Sequence, residues 1–125
     1  MRHASLALMA DRPIFLRLTL APGIPFGPGK AALLEGIRDL GSIAAAGRRM
    51  GMSYQRAWTL VSAMNAQFRE PLVAAAKGGA KGGGAALTPA GEAVLAEYRA
   101  IEAAAAKAVA PGVARLRARL ADGRG

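Results

Sequence analysis

Apolar residues recur at helical spacing through the middle of the chain. The first such set predicts an amphipathic helix over residues 30–40: Leu33, Leu34, Ile37 and Leu40. Gly41 ends this helix, because glycine readily adopts the left-handed backbone conformation that follows a last helical turn. A second set, at spacings of four, three and four, predicts another helix with one inward stripe: Ala57, Val61, Met64 and Phe68.

A short helix and a tight turn precede that second stripe. Ser42 is a cap for a helix from about Ile43 to Met50, and the Gly51-Met52 pair forms the turn. Ser53 then caps the next helix, because its hydroxyl can accept from free amides of the first turn. The segment is typical of a helix-turn-helix, whose second helix enters the DNA major groove.

The N-terminal part has a different pattern. Residues 1–13 lack periodicity and are assigned to a tail. Over Ile14–Leu20 the even-numbered residues are all aliphatic and alternate with Phe15, Arg17 and Thr19, which predicts a strand with one buried face. The stretch Ala21–Gly29 has three prolines and three glycines in nine residues, so we expect a connection with no element of its own.

Beyond the helix-turn-helix, two short strands around a basic glycine-rich loop predict a wing. They cover Leu72–Ala76 and Ala85–Thr88, and the loop carries Lys77 and Lys81. No glycine-lysine-serine or glycine-lysine-threonine run occurs, so the loop is not a nucleotide-binding loop of the usual kind; a flexible linker is the other interpretation.

Thr88-Pro89 opens a long helix, because threonine suits the cap and proline the first helical position. Its apolar stripe is Val94, Leu95, Tyr98, Ile101 and Ala105. We expect Pro111-Gly112 to break or kink it, after which the stripe resumes at Val113, Leu116 and Leu120. The stripe exceeds what one small domain can cover, so a second copy of the chain is the expected partner.

The predicted fold is mainly α with a small β wing: a winged helix-turn-helix followed by a long C-terminal dimerisation helix. The expected organisation is a tail over 1–13, a DNA-binding domain over 14–88 and the long helix over 89–125.

Positive charge is concentrated on the proposed helix-turn-helix and wing. The net charge is +9, and residues 42–87 hold six basic side chains against Glu70 alone. A basic excess of this kind favours a polyanionic partner.

With no cysteine and one histidine, His3, in the tail, the sequence offers no catalytic triad or thiolate metal site, so no enzyme, cofactor or metal is expected. The N-terminal apolar run is too short for a signal peptide and nothing is long enough for a membrane span, so a cytoplasmic protein is expected.

The candidate DNA-binding residues are Ser42, Arg48, Arg49, Ser53, Tyr54, Gln55, Arg56, Thr59, Lys77 and Lys81. Gln55 suits adenine, Arg56 suits guanine, and Thr59 suits a thymine methyl or a phosphate. Arg48 and Arg49 precede the turn, where the first helix crosses the phosphate backbone; a solvated face is the other interpretation. Trp58 lies beside the inward stripe, and we expect its indole in the core; a stacking platform is the other interpretation.

Three features of the sequence together resemble the N-terminal DNA-binding domain of the ModE family of molybdate-responsive regulators. They are the run GSIAAAGRRMGMSYQRAWTLVSAMN, the glycine- and lysine-rich wing that ends at Leu87-Thr88, and the long helix. The helix-turn-helix is similar, more loosely, to LysR-type regulators. The resemblance covers roughly residues 14–105 and implies a recognition helix over Ser53–Phe68, a wing over Leu72–Leu87, dimerisation through the first and last helices, and a palindromic operator.

Members of that family that sense molybdate carry C-terminal oxyanion-binding β-domains, whereas this sequence has only helical pattern after the wing. Direct molybdate binding is therefore not expected. Two other functions stay open on sequence grounds: a nucleoid-type protein with little sequence preference, and a protein-interaction module that uses the long helix.

Overall fold

The computed structural model describes residues 14–76 and 84–121. Its elements, in chain order, are β1 (Leu18–Ala21), β2 (Ile24–Phe26), α1 (Pro28–Leu40), α2 (Ile43–Arg49), α3 (Tyr54–Gln67), β3 (Val73–Ala76), β4 (Gly84–Leu87) and α4 (Pro89–Arg117). The predicted fold class, a winged helix-turn-helix followed by a long helix, is confirmed. Arg17–Tyr98 form one compact unit, and the described residues of the other are 14–16 and 99–121.

The core of the first unit is built by α1, α3 and the start of the wing. Its largest fully buried side chains are Leu33, Leu34, Ile37, Val61, Met64 and Leu72. Gly41 ends α1 in the left-handed conformation, at φ 70°, and its N–H donates to the Ile37 carbonyl. Leu40 was expected to be buried and is 45% exposed, because it is the last residue of α1 and the chain reverses direction at Gly41.

Small side chains bring the first three helices close together. A Cβ on Gly36 would lie 2.8 Å from the Cβ of Ala46, and one on Gly47 would lie 2.9 Å from the Cβ of Ala57. Both distances are shorter than side-chain carbons tolerate, so these two close approaches of α2, to α1 and to α3, each require a glycine opposite an alanine. The expected close approach at Ala46 and Gly47 is confirmed.

The N-terminal strand differs from its prediction. It covers residues 18–21 and not 14–20, and it forms a hairpin with β2, which lies in the stretch predicted to be a connection. The three prolines and three glycines of that stretch argued against a strand, but Pro25 is tolerated because a two-stranded sheet has only edges, where a missing N–H does no harm. Gly23, at φ 77°, makes the turn, and only residues 18–21 lie opposite β2.

The hairpin also packs on the core. Phe26 is buried with its ring edge-on to Phe68 and Tyr98, at centroid distances of 6.5 and 5.2 Å. Lys30 Nζ donates to the Pro25 carbonyl at 2.6 Å. Partial burial, with a smaller effect from the charge of Arg17, lowers the pKa of Lys30.

The wing is an antiparallel pair of strands, as predicted. Val73 pairs with Leu87 and Ala76 with Gly84. Ala85 N–H donates to the Gly41 carbonyl at 3.0 Å, which joins β4 to the turn between α1 and α2. The loop that carries Lys77 and Lys81 lies outside the described residues, as does the N-terminal tail.

The long helix begins where the sequence predicts and continues past the expected break. Thr88 Oγ1 accepts from Gly91 N–H at 3.0 Å and caps the first turn. Pro111 does not end α4, which runs to Arg117. Proline removes the donor to the Lys107 carbonyl and its ring crowds that carbonyl, but both residues are exposed, so water can hydrate the carbonyl. No helix within residues 14–76 and 84–121 combines the length and the apolar content of a membrane span.

Candidate nucleic-acid interface

The turn between α2 and α3 is built as the sequence predicts. Gly51 adopts φ 74°, and Met52 N–H donates to the Gly47 carbonyl at 2.9 Å. Ser42 Oγ accepts from Ala45 N–H, and Ser53 Oγ accepts from Arg56 N–H, each at 3.1 Å. Both predicted serine caps are therefore present, and α3 starts at a defined point on the surface.

One side of α3 is buried and another presents polar side chains. Ala57, Val61 and Met64 have almost no exposed surface, which confirms most of the predicted inward stripe. Four predicted DNA-binding residues meet on the exposed side around a shallow pocket of about 290 Å³: Ser53, Gln55, Arg56 and Thr59. Thr59 Oγ1 donates to the Gln55 carbonyl at 2.9 Å. The hydroxyl's one hydrogen is thus used within the helix and is not available to a phosphate, while the methyl group stays available for apolar contact.

Tyr54 and Trp58 form a second exposed strip on α3. The expectation that Trp58 lies in the core is wrong: its side chain is 44% exposed, and Tyr54 is 56% exposed. The inward position at this level is taken by Ala57, whose Cβ faces Gly47, and an indole cannot fit so narrow a space. Trp58 Nε1–H donates to the Tyr54 hydroxyl, one helical turn away.

The aromatic strip borders a groove of about 260 Å³ between α3, the start of α2 and the wing. Most of its lining is small or apolar: Ser42, Ile43, Ala44, Tyr54, Trp58, Val61, Asn65, Val73, Ala74, Ala75, Gly84 and Ala85. Ser42 and Tyr54 were predicted as separate contacts, and the structure brings them to the same groove. The other candidates on α3 lie around the polar pocket.

The two arginines of α2 differ in their surroundings. Both are exposed in the last turn of the helix. Arg49 Nη2 lies 3.7 Å from Asp39 Oδ2, while Arg38 Nε lies 3.1 Å from the other oxygen of that carboxylate. Within the described residues, Arg48 has no carboxylate at ion-pair distance. Exposed pairs of this kind are weak, so both guanidinium groups are available to a phosphate.

Within the part of the chain that the structure describes, no three histidine, cysteine, aspartate or glutamate side chains could together hold a metal ion. The exposed chemistry of the helix-turn-helix is that of hydrogen-bond donors, amides and guanidinium groups. Such groups contact nucleic-acid bases and phosphates.

Comparison with known proteins agrees with this chemistry. Residues 30–92 match the family model described as bacterial regulatory helix-turn-helix protein, lysR family. The chain is similar to molybdenum-pterin-binding protein MopB of Rhodobacter capsulatus, 53% identical over 85 residues, which cover 68% of this chain and 32% of MopB. It is similar to molybdenum-pterin-binding protein MopA of the same organism, 42% identical over 103 residues, which cover 81% of this chain and 39% of MopA.

A third relative is the DNA-binding transcriptional dual regulator ModE of Escherichia coli strain K12, 36% identical over 85 residues, which cover 68% of this chain and 32% of ModE. The predicted resemblance to the ModE family is confirmed. The chain spans about a third of the length of these relatives.

Proposed function

Because this chain belongs to the bacterial regulatory helix-turn-helix proteins of the lysR family, we propose that it is a DNA-binding transcription regulator of the ModE type. One observation carries the proposal. A serine-capped α3 buries Ala57, Val61 and Met64 while it presents Gln55, Arg56 and Thr59 to solvent. A helix that is anchored on one side and polar on the other is what the major groove admits.

The proposed contacts divide into those to bases and those to the backbone. Gln55 pairs with adenine, Arg56 with guanine, and the Thr59 methyl, whose hydroxyl is occupied, meets a thymine methyl. Arg48, Arg49 and the wing lysines Lys77 and Lys81 contact phosphates, and these charges supply most of the affinity.

We further propose a homodimer on a palindromic operator, with two copies of α3 in successive major grooves roughly 34 Å apart. Three apolar side chains support this assembly by their exposure, two on the distal half of α4 and one just after its end: Ile101, Leu116 and Leu120. Apolar surface of this kind on a helix favours a partner helix, and a second copy of the chain is the simplest one.

As a transcription regulator the protein acts on DNA in the cytoplasm. The absence of direct molybdate binding stays a prediction for this chain. Titration of the purified protein with molybdate in a calorimeter measures it, and strong heat with a saturating isotherm would contradict the prediction.

Selection of bound fragments from genomic DNA tests the proposed function. The selected fragment then competes with random duplex for the protein. A regulator prefers the selected sequence by about a thousandfold or more, whereas a preference below about a hundredfold favours the nucleoid-type alternative. Failure to bind any duplex, together with capture of a protein through α4, would favour the protein-interaction module.

A further inference from the structure

The groove between α3 and the wing contains hydrogen-bonding side chains of its own, and it is separate from the polar pocket around Arg56. We propose that this groove receives one sugar-phosphate strand of the DNA duplex, with the Tyr54 and Ser42 hydroxyls donating to phosphate oxygens and the Trp58 indole lying against deoxyribose. The inference rests on the proposed function and assigns Trp58, which the sequence placed in the core, to the interface.

Both hydroxyls of the groove are set to donate. Ser42 Oγ accepts from Ala45 N–H at 3.1 Å, and Tyr54 Oη accepts from Trp58 Nε1–H. A hydroxyl has a single hydrogen, and in each case the protein uses the oxygen's acceptor capacity and leaves that hydrogen available. Phosphate oxygens are acceptors only, so they match the two groups.

The indole of Trp58 contributes apolar surface to the same groove. Its N–H is occupied by Tyr54, so the exposed part of the side chain is carbon. The opposite wall is formed by strand residues with the smallest side chains, Ala74, Ala75 and Gly84. A sugar ring can therefore approach the indole without displacing a large side chain.

Charge in and around the groove favours a polyanion. Among the described residues that line it, none carries a carboxylate. The segment from Ser42 to Leu87, which supplies the whole lining, holds six basic side chains and one acidic side chain. The groove itself is uncharged and offers hydrogen-bond donors, while the segment around it is basic. It therefore suits one sugar-phosphate strand of DNA, whose negative charge the neighbouring arginines and lysines balance.

The proposed contact differs in kind from those of Gln55 and Arg56. The two strips lie side by side on α3, so the aromatic strip can hold one strand while the polar strip reaches base edges. Hydroxyl donors carry no charge and release no counterions. Their loss therefore lowers affinity for every sequence and leaves the salt dependence of binding unchanged.

Trp58 is the only tryptophan, so its fluorescence reports directly on the groove. We expect acrylamide quenching of Trp58 fluorescence to fall about twofold or more when the parent protein binds the selected duplex, and equally with random duplex. The reason is that the bound strand covers the indole and keeps the quencher away from it. Anisotropy of a labelled duplex verifies that a complex has formed. A complex in which Trp58 is quenched as in the free protein would overturn the proposal.

Tyr54→Phe tests the hydrogen bond. We expect about a 3- to 10-fold loss of affinity on selected and random duplexes alike, with the same salt slope as the parent. A duplex with a neutral methylphosphonate at the contacted phosphate should weaken the parent and cause no further loss in Tyr54→Phe. Unchanged affinity, or a loss confined to the selected sequence, would overturn the assignment.

The controls separate the possible failures. Gln67→Ala, at the exposed C-terminal end of α3, should bind like the parent. The variant removes the acceptor of the Trp58 N–H, but both side chains are exposed and water can replace that acceptor, so Tyr54→Phe should melt close to the parent's temperature. A parent that binds no duplex would overturn both the proposed function and this inference. A parent that binds duplex with Trp58 still open to acrylamide would overturn the inference alone.

Discussion

The side-chain amide of Asn65 is hydrogen-bonded to both main-chain polar groups of Val73. Nδ2 donates to the Val73 carbonyl at 3.0 Å, and Oδ1 accepts from Val73 N–H at 3.1 Å. The same oxygen accepts from Leu72 N–H at 2.8 Å. One side chain of α3 thus satisfies three backbone groups at the start of the wing, and it fixes the start of β3 against α3.

Asn65→Ala should destabilise the protein by about 2 kcal/mol, because two N–H groups and one carbonyl in a partly buried setting lose their partner. Thermal unfolding followed by circular dichroism measures the change. Asn65→Asp keeps the acceptor but directs a second oxygen at the Val73 carbonyl, so it should also lower stability. Gln67→Ala, two residues further on and exposed, should change stability by less than about 0.5 kcal/mol. Equal melting temperatures for all three variants would show that the amide does not hold the wing.

Two glycines of α4 should respond in opposite ways to the same substitution. A Cβ on Gly91 would lie 2.1 Å from the Leu72 carbonyl oxygen, which already accepts from Thr88 N–H. Gly91→Ala must separate α4 from the wing and should cost about 3 kcal/mol. Among the described residues, the nearest atom to a Cβ on Gly112 is Arg115 Nη2 at 3.7 Å, so Gly112→Ala should stabilise by about 0.5–1 kcal/mol.

Denaturant unfolding of the two variants beside the parent measures both signs. A parent-like midpoint for Gly91→Ala would contradict the close approach of its Cα to Leu72. A loss of stability in Gly112→Ala would mean that α4 does not continue as a helix through residue 112.

The parts of the fold that were predicted correctly are those that depend on residues close together in the sequence. Gly41, Ser42, Gly51 and Ser53 set helix ends through local backbone preference and local hydrogen bonds, and the sequence displays both. The hairpin of β1 and β2 was missed because the prolines and glycines of Ala21–Gly29 count against a strand until the pairing and the edge position are known.

The candidate site divides in the same way. Gln55, Arg56 and Thr59 lie outward because the inward stripe determines the opposite side of α3. Trp58 was misplaced because hydrophobicity favours burial, whereas the available volume depends on how closely Gly47 approaches Ala57. The bonds from Asn65 to Val73 join residues eight apart across a change of element, and no local pattern specifies them.

Arg56→Ala should reduce sequence preference more than general affinity. A guanidinium group that makes two hydrogen bonds to guanine is worth about 1–3 kcal/mol of discrimination against another base. Affinity for the selected fragment should fall by that amount relative to random duplex, measured by competition at one salt concentration. Arg69→Ala removes the same charge from an exposed residue just after α3 and should leave the preference intact. An unchanged preference in Arg56→Ala would remove this residue from base recognition.

The combined change Lys77→Ala and Lys81→Ala should weaken binding to all sequences. If each lysine neutralises one phosphate, the slope of log K against log salt should become shallower by about 1.8. The matched control removes two exposed charges of α4 that lie away from Ile101, with Lys107→Ala and Arg117→Ala, and should retain the parent slope. A parent slope in the lysine variant would exclude the wing from phosphate contact.

The distal half of α4 should hold two copies of the chain together. Ile101 is 41% exposed and Leu116 is 68% exposed. Because a new carboxylate cannot be buried between apolar helices without a partner, Ile101→Asp and Leu116→Asp should each convert the dimer to a monomer in sedimentation equilibrium. Affinity for a palindromic fragment should fall, while affinity for a single half-site should not change. Ala103→Asp adds the same charge at an exposed residue about 200° around the helix from Ile101 and should remain dimeric. A parent protein that is monomeric while it binds a palindrome, or dimers that survive both substitutions, would assign another role to this half of α4.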